Sequence, residues 1–334
     1  MKDKRLIPAI IAVLAMLVVG LILAFEATVG ISFLIIGLVL LAISAEKAVT
    51  HSIGVATALK LSPLMIGLVV VSLGTDFLEI VNSIISSALG HVDINVGDSF
   101  GSVLTQMTLV LGLLPFIGGT FKVKREEIMV MGACEILAFI ASISMVEKGY
   151  ISRMNAVFLV ASWPLLMIIT RSMTKGSPSL NGTSLRWSHH LFLSILGFIG
   201  VAGGAYITVQ SVIALSAVFS IPEYLVSFFV VAFGTSLLEI VVDLTAVRKK
   251  QYGIAIGDAI GSSIIMLASQ FGIGTLFFPG NVTASLAQKT GLYALMCSIV
   301  AVTVLTLRQN HDRKSGLLFI ALYSLAYIAT FALL

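Results

Sequence analysis

The sequence predicts an all-α polytopic membrane protein: two inverted five-helix repeats preceded by one additional N-terminal transmembrane helix, about eleven spans in all. Three observations carry this. Apolar residues make up 58% of the 334 and charged residues only 11%, whereas a soluble chain carries about a quarter charged residues. Apolar runs of membrane-spanning length recur along the whole chain. A short acidic pattern occurs twice at a fixed offset. This composition leaves no stretch for a separate extramembrane domain. The net charge of +4 comes from basic residues scattered between apolar runs, which fits orientation in a lipid bilayer and not nucleic-acid binding.

A span needs about 20 mostly apolar residues. The runs are 6–25, 31–49, 62–90, 95–118, 126–146, 151–171, 190–212, 222–247, 253–279, 286–307 and 315–334. The first follows Met1-Lys2-Asp3-Lys4-Arg5. It exceeds a signal-peptide core of about 7–15 residues and no clean small-x-small site follows, so it reads as a retained helix. The third, fourth, eighth and ninth runs are long and interrupted by Gly and polar residues. With the N-terminus cytoplasmic and the C-terminus outside, all 20 Lys and Arg except Lys148, Arg153 and Lys289 fall on the inside. That bias supports both the count and the orientation. The organisation is then residues 1–30 for the additional helix, 31–171 for the first repeat, 172–189 for a cytoplasmic linker and 190–334 for the second repeat. Cys134 and Cys297 lie inside apolar runs and read as small buried hydrophobes.

The repeated pattern is Gly74-Thr75-Asp76-Phe77-Leu78-Glu79-Ile80 followed by Gly97-Asp98-Ser99-Phe100-Gly101-Ser102. Its copy is Gly234-Thr235-Ser236-Leu237-Leu238-Glu239-Ile240 followed by Gly257-Asp258-Ala259-Ile260-Gly261-Ser262, always 160 positions later. Glu79 falls on the third run and Glu239 on the eighth. An odd separation makes the copies cross the membrane in opposite directions, as in transporters whose sites lie near the midplane between repeats.

An ionised side chain at a helix centre costs about 2.5–3.5 kcal/mol on insertion scales, so Glu79 and Glu239 need partners. Helical spacing lines up Thr75, Glu79 and Asn82/Ser83, then Thr235, Glu239 and Asp243, then Asp98, Ser102 and Gln106, then Asp258, Ser262 and Met266. Lys and Arg are absent from all four stripes, so bound metal cations or protons must balance the acids. Oxygen donors alone suit hard cations such as Ca2+, Na+ or Mg2+, and the lack of His and Cys argues against zinc or copper. Gly74 and Gly234 would let each helix open, freeing the carbonyls of Thr75 and Thr235.

The doubled Gly-Thr-Ser-x-x-Glu and Gly-x-x-x-Gly-Ser pattern resembles the cation/Ca2+ exchanger superfamily, most nearly the prokaryotic sodium/calcium exchangers, over nearly the whole chain after Ile31. The resemblance implies that Glu79 and Glu239 are the main Ca2+ ligands, shared with Na+. It further implies carbonyls from Thr75 and Thr235 and hydroxyls from Ser102 and Ser262 at flanking Na+ sites. Ser236 matches a motif Ser, and Asp76 stands at the mated position. This sequence departs from the family in lacking Pro before each motif Glu (Leu78 and Leu238). Gln106 and Met266 replace a family Asn or Asp, and Asp98 and Asp258 stand where Asn is frequent.

Each residue also has a plainer reading. Asp98 and Asp258 serve equally as helix caps, and Asp76 and Asp243 as vestibule residues. Gln106 fits a ligand or an interhelical hydrogen bond, and Met266 fits packing. Glu135, whose mate is Leu295, fits a protonated packing residue. Gly97/Gly101 and Gly257/Gly261 fit close helix contacts. The expected function is secondary antiport of Ca2+ against Na+, with no enzymatic activity and no cofactor beyond the transported ions. A proton-coupled or Mg2+ exchanger is the alternative. A Mg2+-dependent intramembrane lipid enzyme is remote, because the stripes lack bases for phosphate. Inorganic cations and the lipid bilayer are the expected partners; oligomeric state is left open.

Overall fold

The computed structural model describes residues 6–58, 76–173, 187–248, 250 and 252–331. The first part of the third run, with Gly74 and Thr75, and most of the linker lie outside the described residues. The long helices are α1 (Leu6–Ala58), α2 (Phe77–Ala88), α3 (Val92–Gly118), α4 (Arg125–Val146) and α5 (Arg153–Met173). They continue with α6 (Trp187–Phe219), α7 (Glu223–Arg248), α8 (252–277), α9 (Ala284–Arg308) and α10 (Arg313–Phe331). Among the described residues, seven helices are long and apolar enough to cross a membrane. In hydrocarbon the backbone has no water to bond, so apolar runs close their hydrogen bonds internally as helices.

The structure differs from the sequence reading at the start. The first two runs are one uninterrupted helix of 53 residues, about 80 Å long, with no break at 26–30. That stretch contains no Pro, and Thr28 within it and Ser32 just after it bond back onto the helix. The Thr28 hydroxyl donates to the Ala24 carbonyl and Ser32 to that of Thr28, an arrangement that helices tolerate. The turn expected between the first two runs is absent from this continuous helix.

Element boundaries recur at the 160-residue offset. Helix α2 has its mate at Leu237–Arg248, the last part of α7. Helix α3 carries a π-helical turn at Thr105–Val110, and α8 carries one at Met266–Gln270. Two-residue strands follow the same rule: β1 (Phe121–Lys122), β2 (Tyr150–Ile151), β3 (Gly280–Asn281) and β4 (Asn310–His311). Strand β1 pairs with β4 and β2 with β3, both antiparallel. Because β1 precedes α4 and β4 follows α9, while β2 follows α4 and β3 precedes α9, these mated helices run in opposite directions. Left-handed residues lie at matched places in the loops after α4 and α9, Gly149 (φ 71°) and Gln309 (φ 51°).

A second mated pair, α1 and α6, is also antiparallel. A Cβ on Gly37 would meet Thr208, and one on Gly197 would meet Ala48, the residue mated with Thr208. Gly200 and Gly204 similarly admit Ser44 and Leu41. Small residues let the two backbones approach closely. The main apolar cluster is built from α3, α4, α7, α8, α9 and their neighbours, and contains no residue of α1 or α6. Those two helices contribute instead to two smaller clusters, around Leu34 and Val209 and around Leu41 and Val201. Gly97 and Gly101 do serve close packing, because a Cβ on either would overlap the Tyr224 or Phe228 carbonyl of α7. At Gly257 and Gly261 nothing among the described residues lies within 4 Å.

Replacing Gly101 by Leu forces the α3–α7 backbones apart and is expected to destabilise the protein by about 3 kcal/mol, read as a lowered unfolding temperature in detergent. A second expectation concerns His311 of β4, buried against Phe121, with its ring nitrogens bonded to the Leu111 carbonyl and the Ser315 hydroxyl. Burial holds its pKa below the usual 6.5, outweighing the Leu111 carbonyl and Asp312. The unfolded chain takes up the proton first as pH falls, so stability drops below about pH 6.5. Unfolding temperatures of His311→Gln should fall less between pH 7 and 5 than those of the native sequence.

Candidate functional site

The two acidic motifs meet where α2, α3, α7 and α8 converge. Helix α7 breaks at Ser236 (φ −72°, ψ −1°), and α2 begins after Asp76 (φ −89°, ψ 10°). Matched motif positions thus adopt matched non-helical backbone close to the bridge region. The opening is therefore at Ser236 and not at Gly234, which is helical and makes room for Leu38 of α1.

Just inside these breaks, one carboxylate oxygen each from Asp76, Glu79 and Glu239 lies within 4.8 Å of the others. All three side chains are buried, and among the described residues none of their six oxygens has a hydrogen-bond partner. Ser262 and Asp258 lie beside Asp76, and Asp243 lies beside Asp258. The three ion pairs among the described residues are His91–Glu223, Lys124–Glu127 and Arg308–Asp312, in loops or at helix ends. Buried carboxylates with no cation beside them among the described residues form a set of hard oxygen donors suited to a divalent or several monovalent cations.

Asp98 does not have the place that the helix-cap reading gave it. It sits within α3 and caps nothing. Its Oδ2 accepts from Asn82 of α2 at 2.8 Å and Gln270 of α8 at 3.1 Å, and its Oδ1 accepts from Thr235 of α7 at 3.4 Å. One carboxylate therefore ties all four core helices together through neutral donors. Thr235 also has the Val231 and Ala232 carbonyls within reach of its hydroxyl.

Gln270 is the residue that sequence reasoning missed. It lies one helical turn beyond Met266, in line with Ser262, and that spacing was its available signal. Met266 is fully buried in the main apolar cluster and packs. Gln106, Ser102 and Ser236 are buried, with polar side-chain atoms that lack hydrogen-bond partners among the described residues. The mate of Asp98, Asp258, has a carboxyl group of Asp243 beside it where Asp98 has an amide. The two halves of the site are thus chemically unequal. Glu135 stands apart on α4, accepting a hydrogen bond from Ser298 of α9 at 2.8 Å, consistent with a packing role.

An all-α chain with several membrane-length helices and carboxylates gathered at its buried centre is an integral multi-pass membrane protein with a site suited to cations. The sequence profile of the sodium/calcium exchanger protein family matches residues 29–171 and 189–332, and the chain belongs to that family. It is 26% identical to the putative antiporter CaxA of Alkalimonas amylolytica, covering 84% of this chain and 91% of that one. It is 25% identical to the sodium/calcium exchanger MaX1 of Methanosarcina acetivorans, covering 89% and 97%. Among solved structures it resembles the sodium-calcium exchanger NCX_Mj soaked with Na+ and Sr2+. There the identity is 28%, the TM-score 0.59, and the coverage 90% of this chain and 98% of that one.

Substituting Asp98 by Leu strands the Asn82, Gln270 and Thr235 donors and is expected to cost about 3 kcal/mol of stability. Asp98→Asn keeps one acceptor oxygen for the two amides and should cost only about 1 kcal/mol. Thermal unfolding of the purified variants separates the two.

Proposed function

We propose that this protein is a secondary antiporter exchanging Ca2+ for Na+ by alternating access. The observation that carries the reading is the group of buried, unpartnered carboxylates of Asp76, Glu79 and Glu239, drawn from both motifs and lying together. In this mechanism Glu79 and Glu239 hold either one Ca2+ or Na+ ions near the midplane. Asp76, Ser236, Ser102, Ser262, Gln106 and the carbonyls of Thr75 and Thr235 complete the sites. Asp98 positions the four helices, and Asp243 and Asp258 flank the path. An empty site carrying this much uncompensated charge does not reorient, which makes transport an obligatory exchange. Net charge moved is worth about 2.3 kcal/mol per 100 mV, so the membrane potential contributes to driving divalent export.

The architecture in this reading is two inverted five-helix repeats, with the N-terminal run continuous with the first helix of the first repeat. The antiparallel mates α1/α6 and α4/α9 support it. The loops bearing β1 and β4 face the cytoplasm with Lys122, Lys124, Arg125, Arg308, Arg313 and Lys314, and those bearing β2 and β3 face outside, which places the C-terminus outside. The α1–α6 pair, packed apart from the main cluster, is the element that moves over the site.

A second reading, proton coupling in place of Na+, draws on the adjacent carboxyl groups of Asp243 and Asp258. Uptake of radiolabelled Ca2+ into proteoliposomes under an imposed Na+ gradient, and separately under a pH gradient, distinguishes the two. Na+-driven uptake is expected, and Glu79→Gln or Glu239→Gln should reduce it to background while leaving folded protein. Near-normal uptake in both variants refutes the assigned site. Uptake driven by the pH gradient alone would replace Na+ by protons as the coupling ion.

A further inference from the structure

Three of the five histidines in the chain meet at one end of the α1–α6 pair. His51 lies near the end of α1, and His189 and His190 lie in the first turn of α6. The Nδ1 atoms of His51 and His190 are 3.0 Å apart, and their ring centroids 5.2 Å apart. The His189 ring lies 6.4 Å from that of His51 and 6.1 Å from that of His190. His51 and His190 are half-buried and His189 is exposed, so the cluster opens to solvent.

Two nitrogens this close share either a proton or a metal ion. Two imidazoles on one tetrahedral ion, with bonds of ~2.0–2.1 Å, have nitrogens about 3.3 Å apart and ring centroids roughly 5 Å apart. The His51–His190 pair is close to both separations. His189 is roughly 1 Å too distant and comes within reach by side-chain rotation. Imidazole donors select zinc, nickel, cobalt or copper and are poor ligands for Ca2+ and Na+.

We propose that His51, His189 and His190 form a binding site for a divalent transition-metal ion, with solvent completing its shell. The bound ion cross-links α1 to α6. The site is distinct from the carboxylates in helices, donors and ion class. It adds a strong bond to a helix contact otherwise made by glycines and apolar side chains.

Co2+ titrated into the purified full-length protein, with Na+ present and Ca2+ absent, tests the site through its visible absorption. One Co2+ per chain with the spectrum of a nitrogen-coordinated ion is expected, displaced by Zn2+ and unaffected by Ca2+. His51→Ala/His190→Ala should weaken binding by about tenfold or more, and His190→Gln provides the same comparison with a smaller change in packing. His91→Ala, whose ring pairs with Glu223, should bind as the native protein does. Glu79→Gln/Glu239→Gln should retain the Co2+ spectrum, which separates this site from the carboxylates. No spectrum in the native protein, one unchanged in the His51/His190 variants, or one lost in the glutamate variant overturns the proposal.

Discussion

The structure depends on a carboxylate that has no cation. Asp98 gathers an amide from α2, a hydroxyl from α7 and a second amide from α8 onto α3. In a bilayer interior, where water is scarce, these neutral bonds are the means by which an acid is accommodated among four helices. The backbone imposes the same demand on every span and is satisfied as helix. Asp76, Glu79 and Glu239 have no hydrogen-bond partner among the described residues. The architecture thus separates two tasks: one acid is saturated and holds the frame, while its neighbours are left with their oxygens unbound.

The second organising feature is how unevenly the helices are bound to one another. Helices α3, α4, α7, α8 and α9 share one continuous apolar cluster, closed at both ends of α4 and α9 by the β1–β4 and β2–β3 ladders. The α1–α6 pair meets it across separate, smaller clusters, and its own contact sets glycines against Thr208, Ala48, Ser44 and Leu41. Backbone proximity gives good dispersion contact in lipid, where burial of apolar surface offers no drive between helices. A rigid block and a more lightly attached pair follow from where the glycines and the large apolar residues fall.

Much of this was legible in the sequence because two periodicities are strong. Runs of about 20 apolar residues marked the helices from α3 onward to within a few positions, except that α6 continues past its run to Phe219, and the doubled motif singled out Glu79, Glu239 and Asp76. What was not legible has physical reasons. The gap at 26–30 reads as a loop because it is polar, yet Thr28 and Ser32 turn their hydroxyls back onto the helix. The opening of α7 was assigned to Gly234 on conformational freedom, but that glycine serves the approach of Leu38. Gln270 escaped notice because it has no polar mate, position 110 being Val110. Asp98 looked like a cap because a glycine precedes it, and its three donors come from up to 172 residues away, beyond any local pattern.

The paired ladders bear on biogenesis. Strands β1 and β2 leave the ribosome with the first half, but β3 and β4, which complete them, arrive more than a hundred residues later. During that interval Asp98 has Asn82 and lacks both Gln270 and Thr235. The first half must therefore wait in the membrane with open strand edges and an undersaturated acid. The two halves are similar in plan, yet they are not two domains that fold in turn. The chain becomes one cooperative object only when its last helices are inserted.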